Sequence, residues 1–293
     1  MKRSLLVLLI ALGTIAGWLA LRPRGDGNAS KRPTVVKVAL ASACRTTGDW
    51  LARQLGDQCA AIVREPFVIG GNLPESELDR RYRQTIAPAA RAMTARYFST
   101  GPDEPITLLL FGDESAYRDR AKRLLGVERP PSHGFYRPHL RTIIVNTAAG
   151  EKSLRHELTH ALMAFDFPDP PDWFGEGLAA LHEQCRVEDD RLVGLSGTRL
   201  EVLRSAMAVG RLRSLEAMVG SGGFHAENES LNYAHARYFC LYLQERGLLA
   251  ECYRLLRAGV ATDPSGAVAV KRLFPDRSWA ELDADFRCWG RGL

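Results

Sequence analysis

His156-Glu157-Leu158-Thr159-His160 and, after a proline-rich turn, Trp173-Phe174-Gly175-Glu176-Gly177-Leu178-Ala179-Ala180-Leu181-His182-Glu183 are the stretches that decide how this chain folds. On a helix, side chains at i and i+4 stack on one face, so both imidazoles of the first stretch can reach a single cation. Glu157 then lies beside them, near enough to take a proton from a water without being a ligand itself. Leu154, Leu158, Ala161 and Phe165 form an apolar stripe next to the histidine face, which predicts a helix over 152–166. A catalytic zinc needs three protein ligands and one open position. Pro168, Pro170 and Pro171 make the turn, and Pro171 with Asp172 starts a second helix over 173–185. Glu176 falls in its first turn, 16 positions after His160. A carboxylate there can complete a His2Glu set on two neighbouring helices, with Gly177 and Ala179 leaving room for close packing. Glu183 lies on the same face two turns on, where it can accept a hydrogen bond from a ligand imidazole and fix its tautomer.

Together these segments resemble the gluzincin zinc metallopeptidases (peptidase MA-like), above all the ligand segments of the aminopeptidase N-like branch. In that branch a tryptophan precedes an acidic residue followed by glycine, and a second glutamate follows seven positions later. The resemblance implies one Zn2+ per chain held by His156, His160 and Glu176, with Glu157 as general base and acid and Glu183 behind a ligand imidazole. A further match, Asn232-Tyr233-Ala234-His235-Ala236-Arg237-Tyr238-Phe239-Cys240-Leu241-Tyr242-Leu243, is similar to the family's helix that opens with a catalytic tyrosine. It implies that Tyr233 donates its phenolic proton to the oxyanion. The match covers roughly residues 134–247. The Gly-x-Met-Glu-Asn exopeptidase motif is absent; Gly134 to Val145 stands in its place. The gap from His160 to Glu176 is shorter than in the large aminopeptidases, and their accessory domains are lacking, as in the compact gluzincin-like proteins.

Upstream of the metal-binding pattern, strands and helices alternate. Val35–Leu40 reads as a strand and Trp50–Val63 as a helix. Pro66–Ile69 is a short apolar run closed by Gly70-Gly71, and Glu75–Phe98 is helical with a kink at Pro88. Ile106–Phe111 is a buried strand, Glu114–Leu125 an amphipathic helix, and Gly134–Tyr136 and Thr142–Val145 are two strands. From residue 152 to the end the pattern is helical throughout. The expected fold class is therefore α+β: a zincin-like domain with a small mixed sheet in its N-terminal half and an all-helical C-terminal half. The expected organisation is an N-terminal anchor or signal (1–24), a linker and small segment (25–64), and the peptidase domain (65–293, divided at 185/186). The strand Arg141–Asn146, just before the metal helix, is where an extended peptide is expected to add by backbone pairing.

Of the 293 residues, 46% are apolar and 25% charged, the balance of an ordinary folded protein. Lys2, Arg3, Arg22 and Arg24 supply four of the 39 basic residues, which leaves 35 against 34 acidic in the rest. That near-neutral remainder sets nucleic acid aside as a partner and leaves a peptide or protein substrate. Ser4–Leu21 is an uncharged run of 18 residues, about 27 Å as a helix. It is expected to be an uncleaved single-span anchor with the catalytic domain extracytoplasmic (periplasmic in a Gram-negative host), or alternatively a cleaved signal of a secreted protein. Six cysteines without a C-x-x-C pair fit up to three disulfides in an oxidising space, Cys44 with Cys59 being the local choice. The function expected is hydrolysis of peptide bonds by a zinc-activated water. The alternative is a catalytically silent envelope protein that keeps the fold as a binding or scaffolding module.

Overall fold

The computed structural model describes residues 32–150, 152–197, 199–220, 224–225 and 228–293. The chain runs α1 (Arg32–Leu55), β1 (Ala60–Arg64), β2 (Phe67–Gly71), α2 (Glu75–Arg81), α3 (Ala87–Arg96), β3 (Ile106–Phe111), α4 (Glu114–Leu125), β4 (Gly134–Arg137) and β5 (Thr142–Asn146). There follow α5 (Lys152–Met163), α6 (Asp172–His182), the hairpin β6 (Cys185–Glu188) and β7 (Arg191–Gly194), α7 (Arg199–Ala208) and α8 (Leu215–Gly220). The chain closes with α9 (Glu229–Glu245), α10 (Leu249–Gly259), α11 (Ala267–Leu273) and α12 (Trp279–Gly292).

Among the described residues, five strands form one mixed sheet in the order β1-β2-β3-β5-β4. β2, β3 and β5 are parallel, and antiparallel β1 and β4 make the two edges. The central strands are apolar without alternation because both faces are covered, as in β3, where every residue is buried. Ile106, Leu108 and Leu110 pack into the main core with Leu78 of α2, Met93 of α3 and Leu154 of α5. Leu109 and Phe111 point the other way, into a second core closed by Leu51 of α1 and Tyr117 of α4. The fold is thus α+β with a helical layer on each face of the sheet. The helices from α6 onward extend the layer that carries α5.

Several expected elements are corrected. Val35–Leu40 is the start of α1, not a strand, and the residues around Val63 are β1, not helix. The β-branched cluster Val35-Val36-Val38 favours a strand locally. Leu40, Cys44, Leu51 and Leu55 recur at helical spacing, however, and all bury against the sheet. Gly56, at φ 75°, ends the helix in the left-handed conformation. Glu75–Arg96 is one continuous helical run: α2 passes through a wide π turn at Tyr82–Ile86 into α3, and Pro88 stands directly after that turn. The C-terminal half is not all helical: the β6–β7 hairpin turns on Asp189-Asp190, both at positive φ.

All six cysteines lie among the described residues and all are free thiols, so the expected disulfides, Cys44–Cys59 included, are not formed. The membrane-anchored, extracytoplasmic placement is likewise corrected. The run Ser4–Leu21 lies outside the described residues, and among the described residues no helix is long and apolar enough to cross a membrane.

Where α5 ends is set by Asp166, whose side chain is fully buried. Its carboxylate accepts from the amides of Ser99 and Thr100, the Thr100 hydroxyl, the Tyr253 hydroxyl and Arg257. Burial opposes its ionisation, but these donors outweigh it and hold the carboxyl below its usual range. A group with a depressed folded pKa contributes stability that is present above its unfolded pKa and is lost as pH falls through the folded one. Asp166→Ala strands the Arg257 guanidinium and two amides, and is expected to cost about 3–5 kcal/mol in urea unfolding. The deficit should be full above the usual aspartate range and shrink as pH falls below it toward the depressed folded value.

Candidate metal centre

Leu154, Leu158, Ala161 and Leu162 fasten α5 into the main core and turn His156, Glu157 and His160 outward. α6 is fixed by burial of Phe174, Leu178 and Leu181 and by a bond from Trp173 Nε1 to the Ser265 carbonyl (2.9 Å). It packs on α9 at close range. A Cβ added at Gly177 would sit 2.8 Å from the Ala236 carbonyl oxygen and 2.9 Å from its carbon, so only glycine allows this approach. That approach sets Glu176, the preceding residue, over α5.

The three donor atoms converge. His156 Nε2 and His160 Nε2 are 3.2 Å apart, and Glu176 Oε2 lies 3.3 Å from the first and 3.5 Å from the second. Among the described residues this trio is the group whose ligand atoms all lie within 4.8 Å of one another. A tetrahedral cation with ligand bonds near 2.1 Å has ligand–ligand edges of about 3.4 Å, which these separations match. They are long for hydrogen bonds, and the buried Glu176 Oε2 has no well-formed hydrogen-bond partner among the described residues. Such an orphaned carboxylate oxygen aimed at two imidazole nitrogens fits a zinc ion.

Electrostatics agree with the geometry. Burial alone would pull the His156 imidazole down, but the neighbouring carboxylates of Glu176 and Glu183 and the charge of Glu157 push it up to about 10. Burial opposes the Glu176 charge too, yet the two imidazoles hold that carboxyl far below its usual range. The cluster calls for positive charge at its centre. Behind it, His156 Nδ1 meets Glu183 Oε1 at 3.1 Å, and Glu183 is held in turn by Arg199 at 3.0 Å. With Nδ1–H donated to that carboxylate, Nε2 is left as the lone-pair donor toward the centre.

Glu157 is half-buried between strand β4 and the imidazoles. Burial pushes its carboxyl up, the neighbouring histidines pull it partly back, and the Tyr136 backbone N–H donates to it. Tyr233, on the first turns of α9, has its ring centroid 6.2 Å from that of His156 and tilted 31° to it, with the Arg199 guanidinium 5.2 Å over its face. Burial and the adjacent Glu176 carboxylate keep its phenol protonated. The structure therefore brings together His156, Glu157, His160, Glu176, Glu183 and Tyr233.

The remaining histidines stay out of the cluster. His182 is fully buried behind α5, its Nδ1 2.9 Å from the Thr159 hydroxyl, and burial pulls it down to about 3. His235 is buried and stacks on Phe286. His225 pairs with Glu229 at 3.3 Å. Two participants had no sequence signal: Arg199, whose contact with Glu183 is made through space from another helix, and the Tyr136 amide, a backbone group. The expected peptide-pairing strand is also corrected. β5 lies between β3 and β4 and has no free side, so the open edge beside the centre belongs to β4.

Two cavities, about 620 and 530 Å³, meet over the centre and share Pro131, Gly134, His156, Glu157 and Tyr233. No protein-family model matches this chain, and no curated protein matches it.

Proposed function

We propose that this protein is a zinc-dependent peptidase of the gluzincin kind with a zincin-like fold. The observation that carries the reading is the His156–His160–Glu176 trio, with edges of 3.2–3.5 Å around an orphaned carboxylate oxygen and Glu157 alongside. His156, His160 and Glu176 would hold the ion. Bound there, zinc would supply Lewis acidity, acidifying a water and polarising the scissile carbonyl.

The chain's own residues do the rest. Glu157, raised by burial and oriented by the Tyr136 amide, accepts a proton from the attacking water on its carboxylate. It returns that proton to the departing amine nitrogen. Tyr233, kept protonated by its surroundings, donates its hydroxyl hydrogen to the oxyanion. Glu183, backed by Arg199, holds the His156 ring in one orientation.

The test is to dialyse the protein against zinc, measure bound metal, and digest a peptide library with cut positions read by mass spectrometry. Expected are about one zinc per chain and cuts that cease on chelation. A zinc-loaded protein that cuts no peptide bond would overturn the reading.

A further inference from the structure

The two cavities that meet over the centre differ in chemistry. The larger, beyond Tyr136 and Pro138, is walled by Met163, Ala164, Phe167, Pro168 and Pro170. Among the described residues its one charged group outside the centre is Glu229, whose carboxylate lies 3.3 Å from His225 Nδ1. The other, beyond Gly134, is lined by His133, Lys152, Ser153 and Arg199. Its acids are already engaged: Glu183 by His156 and Arg199, and Glu157 by the Tyr136 amide and the histidines. Lys152 is exposed and forms no ion pair among the described residues, whereas the Arg199 guanidinium is engaged by Glu183. Among the described residues, every lysine and arginine that lines the cleft is on this one side.

β4 sets the direction in which a peptide would lie. The bond from the Asn146 amide to the His133 carbonyl (2.9 Å) and the β4–β5 register make His133, Phe135 and Arg137 the residues bonded to β5. Gly134 and Tyr136 therefore turn their backbone groups to the open edge. With the Tyr136 N–H taken by Glu157, Gly134 has both its N–H and its C=O unpaired among the described residues. One residue offering both groups suits antiparallel addition, in which a pair of residues exchanges two hydrogen bonds. A strand antiparallel to β4 passes the Arg137 end first and the Gly134 end last. It enters along the apolar cavity and leaves along the basic one.

We infer that the substrate is an extended peptide with apolar residues N-terminal to the scissile bond and a carboxylate, from Asp, Glu or a free C-terminus, just C-terminal to it. This rests on the peptidase reading above. Lys152, with His133 beside it, meets the carboxylate; Met163, Phe167 and the prolines meet the apolar side chains.

Two readouts keep the two proposals separable. The first is peptide binding to the zinc-loaded Glu157→Gln protein by fluorescence anisotropy, with no turnover required. Peptides with apolar residues followed by Asp or Glu should bind about five- to tenfold tighter than Asn or Gln versions. Free-acid against amidated C-termini on otherwise neutral peptides distinguishes a terminal from a side-chain carboxylate. Lys152→Glu should reverse the preference toward Lys or Arg. The second readout is the cut pattern of the wild-type protein. Equal binding of acidic and neutral peptides, no response to Lys152→Glu, or acidic residues enriched on the N-terminal side of the cuts would each overturn this inference and leave the peptidase reading standing. A wild-type protein that cuts nothing would overturn both.

Discussion

Glu176→Ala is expected to leave the chain folded and without zinc. The carboxylate completes a three-donor set, and its removal leaves two imidazoles on one helix with two open positions. Loss of a supporting partner behind a metal ligand typically weakens binding 10–100-fold, so loss of the ligand itself should exceed about 100-fold. The metal readout is direct: about one zinc per parent chain after dialysis, and none on the variant. A thermal readout supports it. Zinc at about a thousand times the parent's Kd should stabilise the parent by roughly 4 kcal/mol and a variant weakened about 100-fold by no more than about 1.4 kcal/mol. Folding is checked by circular dichroism, because Phe174, Leu178 and Leu181 of the same helix stay buried. A variant that retained stoichiometric zinc would sink the trio as the binding site.

Glu157→Gln is expected to keep the metal and lose the chemistry. Glutamine matches glutamate in shape, and its carbonyl oxygen can still accept from the Tyr136 amide. It cannot take up a proton. Positioned proton transfer contributes about 10²–10⁴-fold, so kcat should fall by that factor while KM and bound zinc change little. The measurement is kcat and KM on a peptide that the parent cuts. Equal turnover by a zinc-loaded Gln variant would remove Glu157 from the mechanism.

Much of this arrangement was legible in the linear chain wherever one physical signal dominated. Ile106–Phe111 and Glu114–Leu125 read correctly to the residue. An unbroken apolar run marks the doubly covered strand, while Asp113 caps the helix start and Gly126, at φ 66°, closes it. The convergence of His156, His160 and Glu176 was legible because i, i+4 spacing and the proline-led helix start fix where the side chains point. α1 was missed because three valines favour extended backbone locally, whereas the stripe from Leu40 to Leu55 emerges only over a longer window. The β6–β7 hairpin was missed because its strands are short and mostly exposed, which leaves little alternation to detect. Arg199 had no signature: its role depends on two helices meeting 16 residues apart in sequence. The Tyr136 amide exists for every residue type, so composition cannot reveal that it orients Glu157.

The contact between Gly177 and Ala236 also offers a fingerprint for remote kin. Any homologue that keeps the carboxylate at this spot must follow it with a residue lacking a side chain. The group it must clear is the backbone carbonyl three positions beyond the tyrosine, which every residue type presents. Such a size constraint would pick out members of the lineage after overall sequence likeness has eroded.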